Sequence, residues 1–384
     1  MKDNEKIEHS RDLLKLSRRV VIKFGSAVLT TGGIELNSEH INRLAAQITQ
    51  IRQQREVVVV SSGAMAAGFA KLGLQNEQQR ASLPLKQAAA AVGQSSLMGV
   101  YEDAFAQYGI HVAQVLLTAE DLANRHRFLN ARGTVAELLA LEVLPIINEN
   151  DTVAVAEIKF GDNDNLATMV SHLVGADLLI ILSDIDGLYS ADPKRNAKAH
   201  LLSIVDRVSS DIEKNATGTT GVGTGGMQSK ILAARKAMAR GIPVIIANGK
   251  RENVINEIFS GADIGTLFIP QDKPLHSRKH WIAHIAATRG TITLDAGAVT
   301  ALTKSKKSLL PGGIVSVNGH FKLGDCINCV DPEGKCFARG LTRYTASELE
   351  RIKGLRTSQI VSVLGYKDYD EVIHRDDLVL LADE

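Results

Sequence analysis

The chain has 384 residues, a hydrophobic fraction of 45% and a formal net charge of +1, values typical of a globular protein long enough for two domains. The small net charge and only 4% aromatic residues argue against nucleic-acid or membrane partners, since these need a strong field or stacking side chains. No signal peptide and no apolar run of about eighteen residues is visible, so we expect a cytoplasmic protein without a membrane-spanning helix.

Short apolar stretches alternate with longer amphipathic or alanine-rich stretches over roughly the first two thirds of the chain. The apolar stretches predict strands at residues 19–24, 57–60, 112–117, 143–148, 177–183 and 243–247. The longer stretches predict helices at residues 38–52, 85–107, 119–141, 165–173 and 227–240. Because the strands are almost wholly apolar, both faces of their sheet should be covered. The alternation therefore predicts an α/β fold, a three-layer αβα sandwich with a mostly parallel central sheet.

The pattern changes after about residue 275. Turn signals, such as Pro-Gly-Gly at residues 311–313, separate short apolar stretches in this part of the chain. The stretches predict strands at residues 291–294, 313–317, 325–330, 336–341 and 377–381. We therefore expect a second, smaller domain, a mostly-β barrel or sandwich that a linker at residues 271–279 joins to the first.

All three cysteines fall in the expected second domain. Cys326 and Cys329 form a C-x-x-C pair within a predicted strand, and Cys336 follows them. A zinc site of this type needs a second pair of ligands, which the sequence does not supply. We interpret the cysteines as buried thiols of a protein from a reducing compartment, with a metal or redox function as the alternative.

Three predicted strands end in small polar residues or glycine. Residues 23–26 (Lys-Phe-Gly-Ser) close the first strand, residues 61–64 (Ser-Ser-Gly-Ala) close the second and open a helix, and residues 148–151 read Asn-Glu-Asn-Asp. In α/β proteins, ligands bind at the carboxyl ends of the strands. Turns of this composition present N–H groups and hydroxyls, so they predict an anion-binding edge of the sheet.

Two further segments add charge to this picture. Residues 161–165 read Gly-Asp-Asn-Asp-Asn, and residues 224–230 read Thr-Gly-Gly-Met-Gln-Ser-Lys and lead into a helix rich in alanine and lysine. A phosphoryl group in transfer carries negative charge on several oxygens, so it needs cations and backbone N–H donors close by. Two lysines next to glycines, with an acidic cluster between them, therefore indicate phosphoryl transfer.

Other interpretations of these segments are weaker. Residues 221–226 match G-x-G-x-x-G by letters, but a polar stretch precedes them where a dinucleotide-binding turn needs a strand. No P-loop motif occurs, and residues 161–165 lack the spacing of an EF-hand. A flexible loop at 218–226, a solvated turn with a helix cap at 161–165 and a plain strand cap at 183–184 remain as alternatives.

Together these segments resemble the amino acid kinase family, and within it the glutamate kinases. The resemblance covers about residues 19–270 and includes residues 127–132 (Arg-Phe-Leu-Asn-Ala-Arg) and 147–151 (Ile-Asn-Glu-Asn-Asp). Residues 289–371 resemble a PUA domain, so we expect a kinase domain at 19–275 and a PUA-like domain at 289–371. The resemblance implies the amino acid kinase fold.

The resemblance also implies a reaction. ATP would phosphorylate the side-chain carboxylate of L-glutamate to L-glutamyl 5-phosphate, the first step of proline biosynthesis, by direct transfer that two lysines stabilise. It further implies Mg²⁺, inhibition by proline and a homo-oligomer, either a dimer or a tetramer. The nucleophile is a carboxylate with a free pKa of about 4.3, which is ionised at pH 7, so no general base is needed.

The resemblance assigns a role to particular residues but names no metal ligand. Lys23 and Lys230 would stabilise the phosphoryl group, and Asp164 would orient them. Ser62, Asp151 and Asn163 would hold glutamate. The residues that would bind ATP are Lys23, Ser183, Asp184, Thr224, Gly225, Gly226, Met227, Gln228, Ser229 and Lys230.

Two rival functions stay open. A sister kinase acting on another carboxylate, a carbamate or a phosphate would share most of these motifs. An RNA-binding or regulatory protein, with the second domain as its active part, is the rival from another class. Residues 289–384 hold thirteen Lys or Arg and thirteen Asp or Glu residues, and this zero net charge argues against a nucleic-acid partner.

Overall fold

The chain forms two compact units in the computed structural model, one up to Gln271 and one from Asp272 onward. The structure describes residues 11–74, 82–154, 163–193, 196, 198–209, 212, 226–270, 288–305 and 307–381. Within these ranges, no helix combines the length and the apolar character that crossing a bilayer requires.

The first unit is built from alternating strands and helices. Its strands are β1 (Arg19–Phe24), β2 (Thr30–Thr31), β3 (Glu35–Leu36), β4 (Glu56–Ser61), β5 (Val112–Leu117), β6 (Leu144–Glu149), β7 (Leu178–Ser183), β8 (Ile204–Val205), β9 (Val244–Asn248) and β10 (Thr266–Phe268). Its helices are α1 (Ser26–Leu29), α2 (Ser38–Arg52), α3 (Ala64–Lys71), α4 (Leu83–Ala106), α5 (Ala119–Ala123), α6 (Arg125–Ala140), α7 (Asn163–Val174), α8 (Met227–Met238) and α9 (Val254–Ser260).

A large sheet forms the centre of the first unit. Its strand order is β5-β6-β4-β1-β7-β9-β10-β8, and neighbouring strands run parallel except that β10 is antiparallel to β9. Every residue of β6 and β7 is buried, as expected for strands that helices cover on both faces. The predicted α/β fold with a mostly parallel central sheet is confirmed.

The alternation of side chains along β1 sends Lys23 to the opposite face of the sheet from its neighbours. Val20, Ile22 and Phe24 pack into the hydrophobic core that residues of α2 and α4 also line. Lys23 therefore points to the other face, where α7 packs against β1. The strand thus carries a buried lysine to the helix that bears the acidic residue.

Two glycines allow α3 and α4 to touch backbone to backbone. A Cβ atom added to Gly68 would lie 1.7 Å from the carbonyl oxygen of Ala89. A Cβ atom added to Gly93 would lie 1.7 Å from that of Ala64. Real Cβ atoms do not approach backbone oxygens this closely, so both positions require glycine. The contact holds α4 against the helix that follows β4.

The helix predicted at residues 119–141 is in fact two helices, because the chain turns at Asn124. This residue has φ −76° and ψ 119°, an extended conformation between α5 and α6. Its side chain accepts a hydrogen bond from the backbone N–H of Arg127 and so caps α6. Asparagine stabilises a helix start better than a helix interior, which is why the prediction of one continuous helix was wrong.

Arg11 lies before β1 and anchors the far edge of the sheet. Its side chain is buried, with 1% exposure, and it forms an ion pair of 2.9 Å with Asp263. The guanidinium donates hydrogen bonds of 2.8–3.2 Å to the backbone carbonyl oxygens of Ser203, Ala262, Ile264 and Gly265. Ser203 directly precedes β8 and Gly265 directly precedes β10, so one side chain ties together the starts of the last two strands of the sheet.

The second unit is mostly β, as predicted. Its strands are β11 (Thr288–Leu294), β12 (Ile314–Gly319), β13 (Cys326–Val330), β14 (Cys336–Leu341) and β15 (Leu378–Leu380), and its helices are α10 (Ala296–Thr303), α11 (Ala346–Ile352) and α12 (Ile360–Leu364). The strands form one sheet in the order β12-β11-β13-β14-β15, with only β11 and β13 parallel. The three short helices were not predicted.

The cysteines of the second unit are thiols and not disulfides. Cys326 and Cys329 are three positions apart on β13, so they face opposite sides of the sheet and cannot bind one ion together. Both are buried, and burial raises the pKa of each thiol. This arrangement agrees with the buried-thiol interpretation.

Candidate active site

Two lysines and one aspartate meet on one face of the parallel sheet. Lys23, on β1, donates a hydrogen bond to Oδ1 of Asp164, which lies in the first turn of α7. Lys230, near the start of α8, donates to Oδ2 of the same carboxylate, with 3.1 Å between the two atoms. All three residues are almost fully buried, with exposures of 3%, 0% and 3% in the order Lys23, Asp164 and Lys230. We call these residues the lysine–aspartate cluster.

The electrostatics of this cluster favour an anionic ligand. Burial alone would raise the pKa of the Asp164 carboxyl, because a buried charge loses its hydration. The ammonium groups of Lys23 and Lys230 outweigh that effect and hold the pKa low, at about 2. The described members of the cluster are thus two buried ammonium groups on one buried carboxylate. Buried groups with a strongly shifted pKa at the carboxyl end of a parallel sheet are typical of functional sites, so the cluster is a candidate for binding an anionic ligand.

The segment before α8 places Ser229 beside the cluster. The Ser229 hydroxyl lies 3.1 Å from Oδ2 of Asp164 and 2.8 Å from the carbonyl oxygen of Gly226, so it donates to one of the two. Gly226 directly precedes α8 and has an extended backbone. The start of α8 therefore presents a hydroxyl and a lysine toward the same carboxylate.

Not all of the predicted nucleotide-binding segment is described. The structure describes Gly226, Met227, Gln228, Ser229 and Lys230, while Thr224 and Gly225 lie outside the described residues, as do Gly161 and Asp162 of the acidic segment. Gln228 is exposed and Met227 is half-buried.

Side-chain amides gather next to the lysine–aspartate cluster, at the ends of β4 and β6. Asn163 precedes Asp164, and its Nδ2 lies 2.8 Å from the carbonyl oxygen of Ser61. The same nitrogen lies 3.0 Å from Oγ of Ser62 and 3.0 Å from Oδ1 of Asn148. The structure thus brings together Ser62 and Asn163, two of the residues predicted to hold glutamate.

Sequence reasoning assigned no individual role to three residues that support this region. Asn148 donates from Nδ2 to Oε1 of Gln94, on α4, at 2.8 Å. The hydroxyl of Tyr101, two turns further along α4, lies 2.9 Å from Oγ of Ser61. Asn148 gave a weak signal as a polar residue in an apolar strand, whereas Gln94 and Tyr101 gave none. We call Gln94, Asn148 and Asn163 the amide cluster.

Asp151, the third residue predicted to hold glutamate, lies in the loop after β6, three positions beyond Asn148. Gln87 of α4 donates to the carbonyl oxygen of Ala154 at 3.1 Å, which fastens this loop to α4. Burial raises the pKa of the half-buried Asp151 carboxyl to about 6. A carboxylate that desolvation destabilises is well suited to bind a cation, because the cation restores the lost stabilisation.

The residues predicted to bind ATP at the end of β7 lie beside Lys23. The backbone N–H of Gly25 donates to the carbonyl oxygen of Leu182 at 2.9 Å. A Cβ atom on Gly25 would lie 3.8 Å from Nζ of Lys23 and 3.9 Å from Cα of Ser183. Ser183 in turn donates from its hydroxyl to Oδ1 of the exposed Asp184 at 3.1 Å. The end of β7 therefore borders the lysine–aspartate cluster on the side away from the amide cluster.

Comparison with known proteins identifies the family. A sequence profile described as the amino acid kinase family matches residues 18–248, more than half of the chain. The chain belongs to the amino acid kinase family. A profile of the PUA domain matches residues 290–364, in the second unit.

Several relatives of this amino acid kinase match it over nearly its whole length. The glutamate 5-kinase of Citrifermentans bemidjiense is 50% identical over 373 residues, covering 97% of this chain and 100% of the relative. The glutamate 5-kinase of Pelobacter propionicus is 49% identical over 373 residues, with the same coverage. That of Myxococcus xanthus is 49% identical over 376 residues, covering 98% of this chain and 99% of the relative.

The described residues of this amino acid kinase offer no dedicated metal cage. No group of three or more His, Cys, Asp or Glu side chains among them could hold a metal ion. Both carboxylate oxygens of Asp164 already accept hydrogen bonds from lysines.

Proposed function

We propose that this kinase transfers the γ-phosphoryl group of ATP to the side-chain carboxylate of L-glutamate, which gives L-glutamyl 5-phosphate and ADP. This reaction is the first step of proline biosynthesis. Relatives about 50% identical over almost their full length carry the name glutamate 5-kinase. The observation that carries the proposal for the site is the convergence of Lys23 and Lys230 on Asp164, directly beside a cluster of amides.

The lysine–aspartate cluster offsets the main obstacle to this reaction, which is repulsion between two anions. An oxygen of the glutamate side chain attacks the γ-phosphorus, and the bond from phosphorus to the bridging oxygen breaks, so ADP leaves with the electron pair. The attacking carboxylate is already ionised, so no proton needs to be removed. An ammonium group about 4 Å from a phosphoryl oxygen contributes roughly 4 kcal/mol at an effective dielectric constant of about 20. Because Lys23 and Lys230 are buried and preoriented by Asp164, this stabilisation requires no reorganisation.

The remaining site residues divide between the two substrates. Ser62, Asn163 and Asp151 would hold glutamate at the ends of β4 and β6, while Ser183, Asp184 and the segment 224–230 would hold ATP at the end of β7. The strand order supports this division, because β1 with Lys23 lies between β4 and β7. Glutamate and ATP then approach each other across Lys23.

We further propose that Mg²⁺ arrives on the phosphates of ATP and that few protein ligands hold it. This fits the donor set, since Mg²⁺ commonly keeps phosphate and water ligands with one or two carboxylates. When bound, the ion would neutralise phosphate charge. Inhibition by proline, assembly into a dimer or tetramer and the domain bounds 19–275 and 289–371 are proposals that rest on the resemblance. A cytoplasmic location is a proposal that rests on the sequence pattern alone. The thiols agree with a reducing compartment.

Glutamate-dependent consumption of ATP tests the proposed reaction. The purified full-length chain should release ADP with L-glutamate, and hydroxylamine should trap the acyl phosphate as a hydroxamate. A panel of other carboxylates, a carbamate and phosphate acceptors serves as the comparison. ADP release with one of those acceptors and not with glutamate would assign the chain to a sister kinase.

Protonation of Asp151 should make the reaction with glutamate slower at low pH. Its pKa is raised to about 6, so the carboxylate is charged above that pH and becomes neutral as the pH falls through it. If the charged form holds the ammonium group of glutamate, kcat/KM for glutamate at saturating ATP should fall about tenfold per pH unit below pH 6. The kcat at saturating glutamate should persist to lower pH, because the bound ammonium lowers the pKa of Asp151.

The matched variant for this pH experiment is Asp151→Asn. It should raise the KM for glutamate far more than the KM for ATP and should remove the decline of kcat/KM below pH 6. A decline that survives in Asp151→Asn belongs to another group and would remove Asp151 from the glutamate site.

A further inference from the structure

Backbone groups fix the orientation of every side chain in the amide cluster. The N–H of Glu149 donates to Oδ1 of Asn148 at 2.9 Å, so the other end of that amide must be the nitrogen. That nitrogen donates to Oε1 of Gln94. At the opposite end of the cluster, the carbonyl oxygen of Ser61 accepts from Nδ2 of Asn163. Exchanging the oxygen and the nitrogen of any amide in the cluster would place two donors or two acceptors next to each other.

With the amides oriented in this way, one donor atom and one acceptor atom of the cluster have no hydrogen-bond partner. Within the part of the chain that the structure describes, Nε2 of Gln94 and Oδ1 of Asn163 are buried and have no hydrogen-bond partner. Gln94 as a whole has only 8% exposure. Buried polar atoms without partners are costly, so two of opposite kinds in one hydrogen-bonded cluster point to a ligand that has both an acceptor and a donor. An α-amino acid carries both, a carboxylate and an ammonium group on one carbon atom.

We infer that Gln94 binds the α-carboxylate of the amino acid substrate through Nε2, while Oδ1 of Asn163 accepts from its ammonium group. The inference rests on the proposed function, and it adds Gln94 as a residue that determines specificity. Asp151 supplies the negative charge for the same ammonium group. In this arrangement the spare donor, on Gln94, contacts the α-carboxylate, while Asn163 and Asp151 both accept from the ammonium group.

The spacing of the sheet explains why Gln94 meets the α-carboxylate and not the reacting one. Lys23 is on β1, and Asn148, which holds Gln94, is on β6, two strands away across β4. Neighbouring strands are about 4.8 Å apart, so the two positions are separated by roughly 10 Å. The side chain of Lys23 covers part of this distance, and an extended glutamate molecule spans most of the rest. Its side-chain carboxylate then lies at the lysine–aspartate cluster and its α-carbon lies at the amide cluster.

The test compares L-glutamate with 4-aminobutyrate, which is glutamate without its α-carboxylate. Gln94→Glu keeps an oxygen to accept from Asn148 but replaces the Nε2 donor with a second acceptor. We expect this variant to lower kcat/KM for glutamate about 100-fold or more, since a charged hydrogen bond becomes a repulsion. The value for 4-aminobutyrate should change less than about threefold. If 4-aminobutyrate is phosphorylated too slowly to measure, its inhibition constant as a competitor of glutamate is compared instead of kcat/KM.

A second variant and a control separate binding from structure. Gln94→Met removes both polar atoms and should also reduce the preference for glutamate over 4-aminobutyrate, by about 10-fold or more. Gln47→Glu is the control, because Gln47 is equally buried but accepts from the N–H of Ile255, far along the sheet from β6. It should lower thermal stability and leave the preference unchanged.

The outcomes distinguish this inference from the proposed function. A wild-type chain that does not phosphorylate glutamate removes the proposed function itself. If the wild type is active, an equal loss for both substrates in both Gln94 variants assigns Gln94 to positioning Asn148 and overturns the inference. Unchanged kinetics for both substrates also overturns it, because Nε2 then contacts only water.

Discussion

Replacing Lys230 by alanine should lower turnover at least about 100-fold while the protein stays folded. The variant removes one of the two ammonium groups that face the transferring phosphoryl group. It leaves Asp164 paired with Lys23, so the buried carboxylate keeps a cationic partner and the fold survives. Steady-state kinetics with saturating ATP and glutamate measure the loss, and circular dichroism checks the fold. Lys23→Ala should have an effect of similar size.

Lys236→Ala is the matched control for this experiment. Lys236 is on the same helix, α8, but it is exposed and donates to Oδ1 of Asn165 at 2.7 Å. Its removal should change turnover less than about twofold, since an exposed lysine is strongly screened. Near wild-type turnover in Lys230→Ala or Lys23→Ala would show that the lysine–aspartate cluster does not act on the phosphoryl group.

Gly93→Ala should cause a large loss of stability. The new Cβ would lie 1.7 Å from the carbonyl oxygen of Ala64, and neither backbone can rotate away as a side chain could. We expect the free energy of unfolding to fall by more than about 3 kcal/mol, because α3 and α4 must separate. Gly68→Ala should behave alike, since its Cβ meets Ala89 at the same distance. Urea unfolding measured by circular dichroism gives the change.

Gly99→Ala provides the control on the same helix. Nothing lies within 4 Å of a Cβ atom at Gly99, so alanine there gains helix propensity without a clash. Its expected effect is a gain of about 0.5–1 kcal/mol. Equal stability of Gly93→Ala and Gly99→Ala would contradict the close contact between α3 and α4.

The central sheet could be predicted because its strands are buried on both faces and leave continuous apolar stretches. The predicted bounds of β1 and β5 agree with the structure at 19–24 and 112–117. The last two strands of the sheet, β8 at its edge and β10 beside it, have two and three residues, which is too short for any periodic signal. The same reason applies to the seven residues of α9.

Only part of the candidate site could be predicted from the sequence. Lys23, Asp164 and Lys230 stood out because charged residues beside glycines follow apolar strands or open helices. Gln94 lies in a helix rich in alanine, where a glutamine has no distinctive neighbours. Its role depends on which strand end that helix faces, and this follows from the close contact of α3 and α4 rather than from any local pattern.

The anchoring of the sheet edge by Arg11 has a consequence for the order in which the chain acquires its structure. The carbonyl groups that this arginine holds before β10 are 251–254 positions further along the chain. During synthesis on the ribosome, Arg11 emerges early, but its acceptor carbonyl groups emerge only after most of the first unit has been synthesised. Strands β8 and β10 can therefore join the sheet only late, and until then their unpaired backbone groups are open to aggregation.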